Sequence, residues 1–199
     1  MNKDDALIVC ALEKETICEL EDWDVLYTGV GKVNATYKLT NYLTDSWDSF
    51  RGPDGFPGMV INYGTAGSRD LPIGELVDCT KFVQRDMNVS GLGFMEGQTP
   101  FENDVPIILD STYVEFNPIN KNYVCGTGDS FVENVEDVSG YIDVFDMEAY
   151  ALAKVCHHFK VSFISFKYIT DNVNEHASED WLDNCSDGIH EFKEKILCV

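Results

Sequence analysis

Short apolar runs alternate with segments of helical spacing along the 199 residues of this chain. The run Ala6–Cys10 (ALIVC) is too brief for a helix and reads as a buried strand. Residues 13–21 follow as a short helix with Ile17 and Leu20 on one face. Residues 25–28 form a second strand, ending at Gly29-Val30-Gly31. Residues 32–43 space Val33, Tyr37 and Leu43 so that they turn inward on a helix. Residues 45–58 are rich in Gly, Pro and Asp and read as a surface loop. Residues 59–62 are a third strand, again followed by glycines, Gly64 and Gly67.

The middle of the chain is more strand-like, with candidates at 75–84, 105–109 and 122–125. Asp146 stands where the free N–H groups of a helix over 147–158 need an acceptor. Residues 161–167 (VSFISFK) form a further strand. The tail over 178–197 reads as one acidic helix with Trp181, Ile189, Phe192 and Ile196 as its apolar contacts. Strands alternating with helices imply a three-layer α/β/α fold with a central mixed β-sheet. Nothing marks a linker or a repeat, so residues 1–199 are expected to form a single domain. In such folds, ligands sit beyond the C-terminal ends of the strands.

Charge narrows the partners. Thirty-five acidic residues against 14 basic ones give a net charge of −21. Such a surface repels phosphate backbones and anionic lipid, so neither a nucleic-acid partner nor a membrane is expected. No run approaches the ~18 apolar residues of a membrane span, and no leader-like segment opens the chain. The seven cysteines include no Cys-x-x-Cys pair. They read as small buried hydrophobes in a reducing cytoplasm, and the Asn-x-Ser/Thr triplets at Asn34, Asn88 and Asn184 as chance matches. The histidines at 157, 158, 176 and 190 lack a ligand spacing, so no metal is expected.

Four segments carry the polar chemistry. They are Ala11-Leu12-Glu13-Lys14-Glu15, Asn62-Tyr63-Gly64-Thr65-Ala66-Gly67-Ser68, Thr127-Gly128-Asp129-Ser130-Phe131, and Asp146-Met147-Glu148-Ala149 with Lys167-Tyr168-Ile169-Thr170-Asp171. Each begins at the end of an expected strand. Singly, each has an ordinary structural reading: acids at a helix start, glycines in turns, an aspartate as a cap.

In this order they resemble the nucleoside phosphorylase/nucleosidase superfamily, and within it the methylthioadenosine/S-adenosylhomocysteine nucleosidases. VGKVNAT (30–36), INYGTAGS (61–68), DMEAYALAKVCHHFKV (146–161) and KYITD (167–171) carry the likeness, which runs from residue 7 to about 197. The resemblance implies roles. Asp171 matches the general acid that protonates N7 of the purine, and Glu15 the carboxylate that activates water. Glu148 matches the acid that grips the ribose hydroxyls, with Met147 beneath the sugar. Phe131 stacks on the base, and the Val132 backbone reads its edge. Thr65, Ala66 and Gly67 line the site near water and sugar. Leu12, Val30 and Val89 line the 5′ side. A homodimer is expected on the same ground.

The chemistry suits these residue types. Cleaving an N-glycosidic bond leaves positive charge on the sugar and negative charge on the departing base. A buried carboxylic acid can hold its proton until the base needs it. A second carboxylate, in a different environment, orients water and steadies the cation. No cofactor is required.

Superfamily members that use phosphate instead of water need cations aimed at one spot. The chain has only three arginines, Arg51, Arg69 and Arg85, and none immediately precedes Gly64. A carboxylate at Glu15 suits water, so hydrolysis is expected over phosphorolysis. A phosphorylase and a non-catalytic nucleoside-binding protein are the alternatives. Two positions depart from the family. Lys167 replaces an arginine expected near the sugar, and lysine lacks the arginine fork. Leu92 stands where an aromatic is usual, which leaves the substrate open: beside methylthioadenosine-like and S-adenosylhomocysteine-like nucleosides, an unmodified or 5′-deoxy purine nucleoside, or one with a modified base, is an alternative.

Overall fold

A computed structural model describes residues 3–48, 57–102, 108–134, 136 and 141–198. Its strands are β1 (Ala6–Cys10), β2 (Asp24–Tyr27), β3 (Met59–Ser68), β4 (Leu76–Gln84), β5 (Ile108–Asp110), β6 (Tyr123–Thr127), β7 (Val144–Asp146) and β8 (Ser162–Asn172). The helices are α1 (Lys32–Asp48), α2 (Ala149–Phe159), α3 (Ala177–Asn184) and α4 (Ile189–Phe192), the last running into a π-helical turn over Lys193–Leu197.

The sheet is mixed, as expected. β1 lies parallel between β2 and β3, and β3 runs parallel to β8. β8 is antiparallel to β4, which pairs in parallel with β6 and antiparallel with β5. β6 pairs in parallel with β7, and β7 returns to β3 through one antiparallel bridge, Gly67 to Phe145. Strands β3, β8, β4, β6 and β7 thus close a ring, a curl that periodicity alone does not announce.

Strand alternation sends side chains to two cores. Leu7, Val9, Val60, Phe163 and Ile169 pack with Leu39 of α1 and Leu152 of α2. Ile8, Cys10, Ile61, Tyr63 and Phe166 pack on the other face with Leu20, Ile189, Phe192 and Ile196. This is the α/β/α layering.

Several expectations need correction. Residues 13–21 are not a helix. A 3₁₀ turn over Glu13–Glu15 gives way to turns in which Ile17 and Cys18 take φ of 41° and 64°. Ile17 is exposed while Leu20 is buried. On α1, Val33 and Tyr37 face solvent, at 78% and 62% exposure, whereas Ala35, Leu39 and Leu43 are buried. The buried stripe runs through an alanine, which a reading weighted toward large residues passes over. α1 also extends to Asp48, so only residues 49–56 of the expected loop at 45–58 lie outside the described residues. β3 does not stop at Asn62 but runs through both glycines to Ser68. Residues 103–107, including most of the strand expected at 105–109, also lie outside the described residues. The tail is broken at 185–188. A methyl group on Gly188 would strike the Tyr168 ring, so only glycine permits this approach.

One irregularity matters for the site. β3 and β8 pair residue for residue from Met59↔Ser162 to Ala66↔Ile169, and then Gly67 faces Asp171. Thr170 is the extra residue of a β-bulge, which re-aims the side chains beyond it.

Candidate active site

A cavity of about 240 Å³ opens where β1, β3, β6, β7 and β8 end or bend. Glu15, Asp171, Glu148, Met147, Phe131, Val132, Thr65, Ala66, Gly67, Val30 and Leu12 all line it. The four segments therefore converge.

The turn after β1 folds Glu15 back over its own chain. Leu12 N donates to Glu15 Oε2 at 3.0 Å. Thr65 donates twice to Glu15 Oε1, from N and from Oγ1, each at 2.9 Å. Gly64 allows this approach, because a methyl group there would lie 3.3 Å from Glu15 Oε1. Glu15 is buried, and these three donors replace the water it has lost.

Asp171 sits just past the bulge. Thr170 Oγ1 donates to its Oδ2 at 2.9 Å. Burial pushes its carboxyl up to about 6, with the nearby Asp180 charge adding to the effect and the Thr170 hydrogen bond opposing it. A methyl group on Gly67 would stand 2.5 Å from Asp171 Oδ1. Gly64 and Gly67 lie on the same strand, and both carboxylates line the one cavity.

Glu148 immediately precedes α2. Gly31 N donates to its Oε1 at 2.7 Å. Burial raises its carboxyl above the ordinary range, the Asp146 charge adds to the rise and Lys167 opposes it. Asp146 acts as the expected cap, since its Oδ2 accepts from Glu148 N at 3.2 Å and Ala149 N at 2.8 Å. Thr127 Oγ1 donates to Asp146 Oδ1 and accepts from Tyr150 N at 2.9 Å.

Phe131 and Val132 ride on the loop after β6. Several contacts hold this loop, among them the following. Arg85 Nη2 donates to Ser130 O, Asp129 N donates to Asp86 Oδ2 at 2.9 Å, and Lys32 N donates to Asp129 Oδ1 at 2.8 Å. Phe131 is 42% exposed and faces the opening, whereas Val132 packs with Ile142, Phe145 and Val173.

Two expected site residues are not among those lining the cavity. Val89 precedes a one-turn 3₁₀ helix, Ser90–Leu92, beyond the end of β4, and its side chain is half-buried there. Lys167 points into the core behind the site, where its Nζ pairs with Asp146 Oδ2. It thus takes up the position of a support and not of a sugar contact. Arg69 pairs with Asp70, and neither it nor Arg85 lines the cavity.

Ala11, Ser130, Phe145, Asp146 and Trp181 line the cavity too. Trp181 is the informative one. Spacing makes it an apolar contact of the tail, yet its Nε1 donates to Thr65 Oγ1 at 2.8 Å. A large aromatic with a polar handle, on the first helix after Asp171, was the available signal.

The family model described as the phosphorylase superfamily matches residues 24–196. A 5′-methylthioadenosine/S-adenosylhomocysteine nucleosidase of an Exiguobacterium species is 30% identical over 181 residues, covering 81% of this chain and 74% of that protein. The nucleosidase of the same description from Bacillus velezensis is 33% identical over 163 residues, covering 74% and 67%. Among solved structures, the futalosine hydrolase of Helicobacter pylori superposes with a TM-score of 0.76 at 21% identity over 96% of each chain. A mutant of the methylthioadenosine nucleosidase from the same organism, with 5′-methylthioadenosine in its active site, superposes with a TM-score of 0.73 at 22% identity, covering 96% of this chain and 94% of that one.

Proposed function

The chain belongs to the phosphorylase superfamily, and on that premise we propose a mechanism for the N-glycosyl hydrolysis that its nucleosidase relatives are named for. It cleaves an adenine nucleoside to free base and sugar. The substrate is 5′-modified, of the methylthioadenosine, S-adenosylhomocysteine or 5′-deoxyadenosine kind. Asp171 gives its proton to N7 of the base as the glycosidic bond breaks. Burial holds that proton to about pH 6, close to where a general acid works best. Glu15 orients water on the sugar side and steadies the cation that forms there. Glu148 grips the ribose hydroxyls, which fixes the sugar between the two carboxylates. Phe131 stacks on the base, the Val132 backbone meets its edge, and Met147 lies beneath the sugar.

One observation carries this reading. Two carboxylates in different surroundings face one cavity, and among the described residues that line it none is an arginine or a lysine. Such a lining favours water over phosphate as the nucleophile. The test is base release from methylthioadenosine, S-adenosylhomocysteine, 5′-deoxyadenosine, adenosine, inosine and guanosine, with and without phosphate. Free adenine and free sugar without phosphate are expected. A sugar phosphate formed only when phosphate is present would remove the water role of Glu15.

The same proposal includes a homodimer in the cytoplasm. Exposed Val33 and Tyr37 on α1 flank a second cavity of about 670 Å³, which Tyr150 of α2 also lines, and a partner would cover them. All seven cysteines are free thiols, which suits a reducing compartment. Sedimentation equilibrium tests the dimer: a monomer at all concentrations would remove it.

A further inference from the structure

We infer that Trp181 is a positioning residue for Glu15, acting through the Thr65 hydroxyl, and that it leaves one oxygen of Glu15, Oε2, to direct the water. The inference rests on the proposed water role of Glu15. An indole N–H only donates, and a carboxylate only accepts. The Thr65 hydroxyl stands between the two, 2.8 Å from Trp181 Nε1 and 2.9 Å from Glu15 Oε1. Because Trp181 occupies an acceptor site on Thr65 Oγ1, the hydroxyl proton is directed onto Glu15. Without the indole, that hydroxyl is free to rotate away.

The consequence for Glu15 is an inequality between its two oxygens. A carboxylate has about four acceptor sites. Oε1 fills two of them, with Thr65 N and Thr65 Oγ1. Oε2 fills one, with Leu12 N. The remaining site belongs to Oε2, so a water held by Glu15 is held there, in one orientation.

Trp181 is itself held in place. Its helix α3 is tied at both ends, by Ser178 Oγ to Glu133 Oε1 and by Asn184 Nδ2 to Thr170 O at 3.0 Å. Lys14 Nζ lies over the indole ring, 5.3 Å from its centroid. The second tie ends on the bulge residue beside Asp171, so one short helix steadies the neighbourhoods of both catalytic carboxylates.

The experiment is a double-mutant cycle with Trp181→Phe, which keeps a ring and removes the donor, and Thr65→Val. Trp181→Phe is expected to lower kcat for methylthioadenosine about five- to tenfold, the effect of one hydrogen bond, with KM changed less than about twofold. In the Thr65→Val background the same change should cost nothing further. In Thr65→Ser, which keeps the hydroxyl, its full cost should return. Additive losses, or an unchanged kcat in Trp181→Phe, would overturn the inference. A readout independent of turnover is the indole N–H resonance in a ¹H–¹⁵N spectrum, assigned to Trp181 by its disappearance in Trp181→Phe. It should move in Thr65→Val and stay in Thr65→Ser, and an unmoved resonance in Thr65→Val would overturn the hydrogen bond itself. A wild-type protein that releases no base removes the reading of the site, and the resonance then still decides the hydrogen bond.

Discussion

Lys167 Nζ lies 2.9 Å from Asp146 Oδ2, with both side chains almost entirely shut off from solvent. Burial alone would pull the lysine toward its neutral form, but the Asp146 carboxylate, with Cys125 and Glu148 adding to its effect, outweighs this and holds its pKa above the ordinary value. The same Asp146 oxygen caps α2 at Glu148 and Ala149. A buried charge therefore fixes the helix start from which Glu148 reaches the cavity.

Lys167→Met should destabilise the protein by about 3–5 kcal/mol, because it leaves Asp146 as an uncompensated buried charge. Asp146→Asn together with Lys167→Met should recover most of that loss. Urea unfolding of the wild type and the two variants checks both statements, and a double variant no better than the single one would refute the pairing as the cause.

Asp171 should govern the alkaline side of the activity profile. A general acid must carry its proton, so kcat/KM should fall as pH rises through about 6. Asp171→Asn should lose about 10²–10⁴ in kcat. Stability is linked to the same proton. The folded chain holds a proton between pH 3.8 and about 6 that the unfolded chain has released, so wild-type stability falls as pH rises through that window. The asparagine variant should therefore match wild type below about pH 4 and exceed it above about pH 6, by at most about 3 kcal/mol. Thermal melts on the two sides of that window test the sign.

Gly67→Ala should injure both fold and turnover. Its methyl group would collide with Asp171 Oδ1 at 2.5 Å. Forcing these groups apart costs about 1–3 kcal/mol and moves the acid off N7. Gly91→Ala is the control, since nothing lies within 4 Å of a methyl group there. Its stability should stay within about 0.5 kcal/mol of wild type.

Glu15→Gln should separate binding from chemistry. The amide keeps the shape and its single oxygen can still accept both Thr65 hydrogen bonds, but its nitrogen cannot accept from Leu12 N, and it lacks the charge proposed to steady the sugar cation. Hydrolysis should fall at least about a hundredfold while adenine binding, followed by calorimetry, stays within about threefold. Hydrolysis at the wild-type rate would take the water role away from Glu15.

Much of this arrangement was legible in the sequence, for a local reason. Glu15, Thr65, Glu148 and Asp171 each lie near or beyond a strand end, and an apolar run such as Ala6–Cys10 announces its strand without help from the rest of the chain. What stayed hidden depends on partners distant in sequence. Val33 and Tyr37 have helical spacing, but only the position of the sheet decides that Ala35 and Leu39 face it instead. The turn at Ile17 and Cys18 follows from Glu15 folding back toward Leu12 and Thr65, and no window of residues 13–21 contains Thr65. Lys167 belongs to the core because Asp146 waits there, on a different strand. Trp181 reaches Thr65 across 116 positions.

The bulge at Thr170 makes the acid vulnerable to a particular kind of inheritance. Loss of that one codon would let β8 continue in step beside β3, yielding a more regular ladder. The repaired ladder would keep Asp171 opposite Gly67 but remove its hydroxyl partner and the bulge that re-aims its side chain. Substitutions at this strand can be tolerated or reversed, but loss of the bulge cannot be compensated locally. Lineages that keep the activity should therefore vary in the identity of residue 170 far more readily than in the number of residues between Lys167 and Asp171.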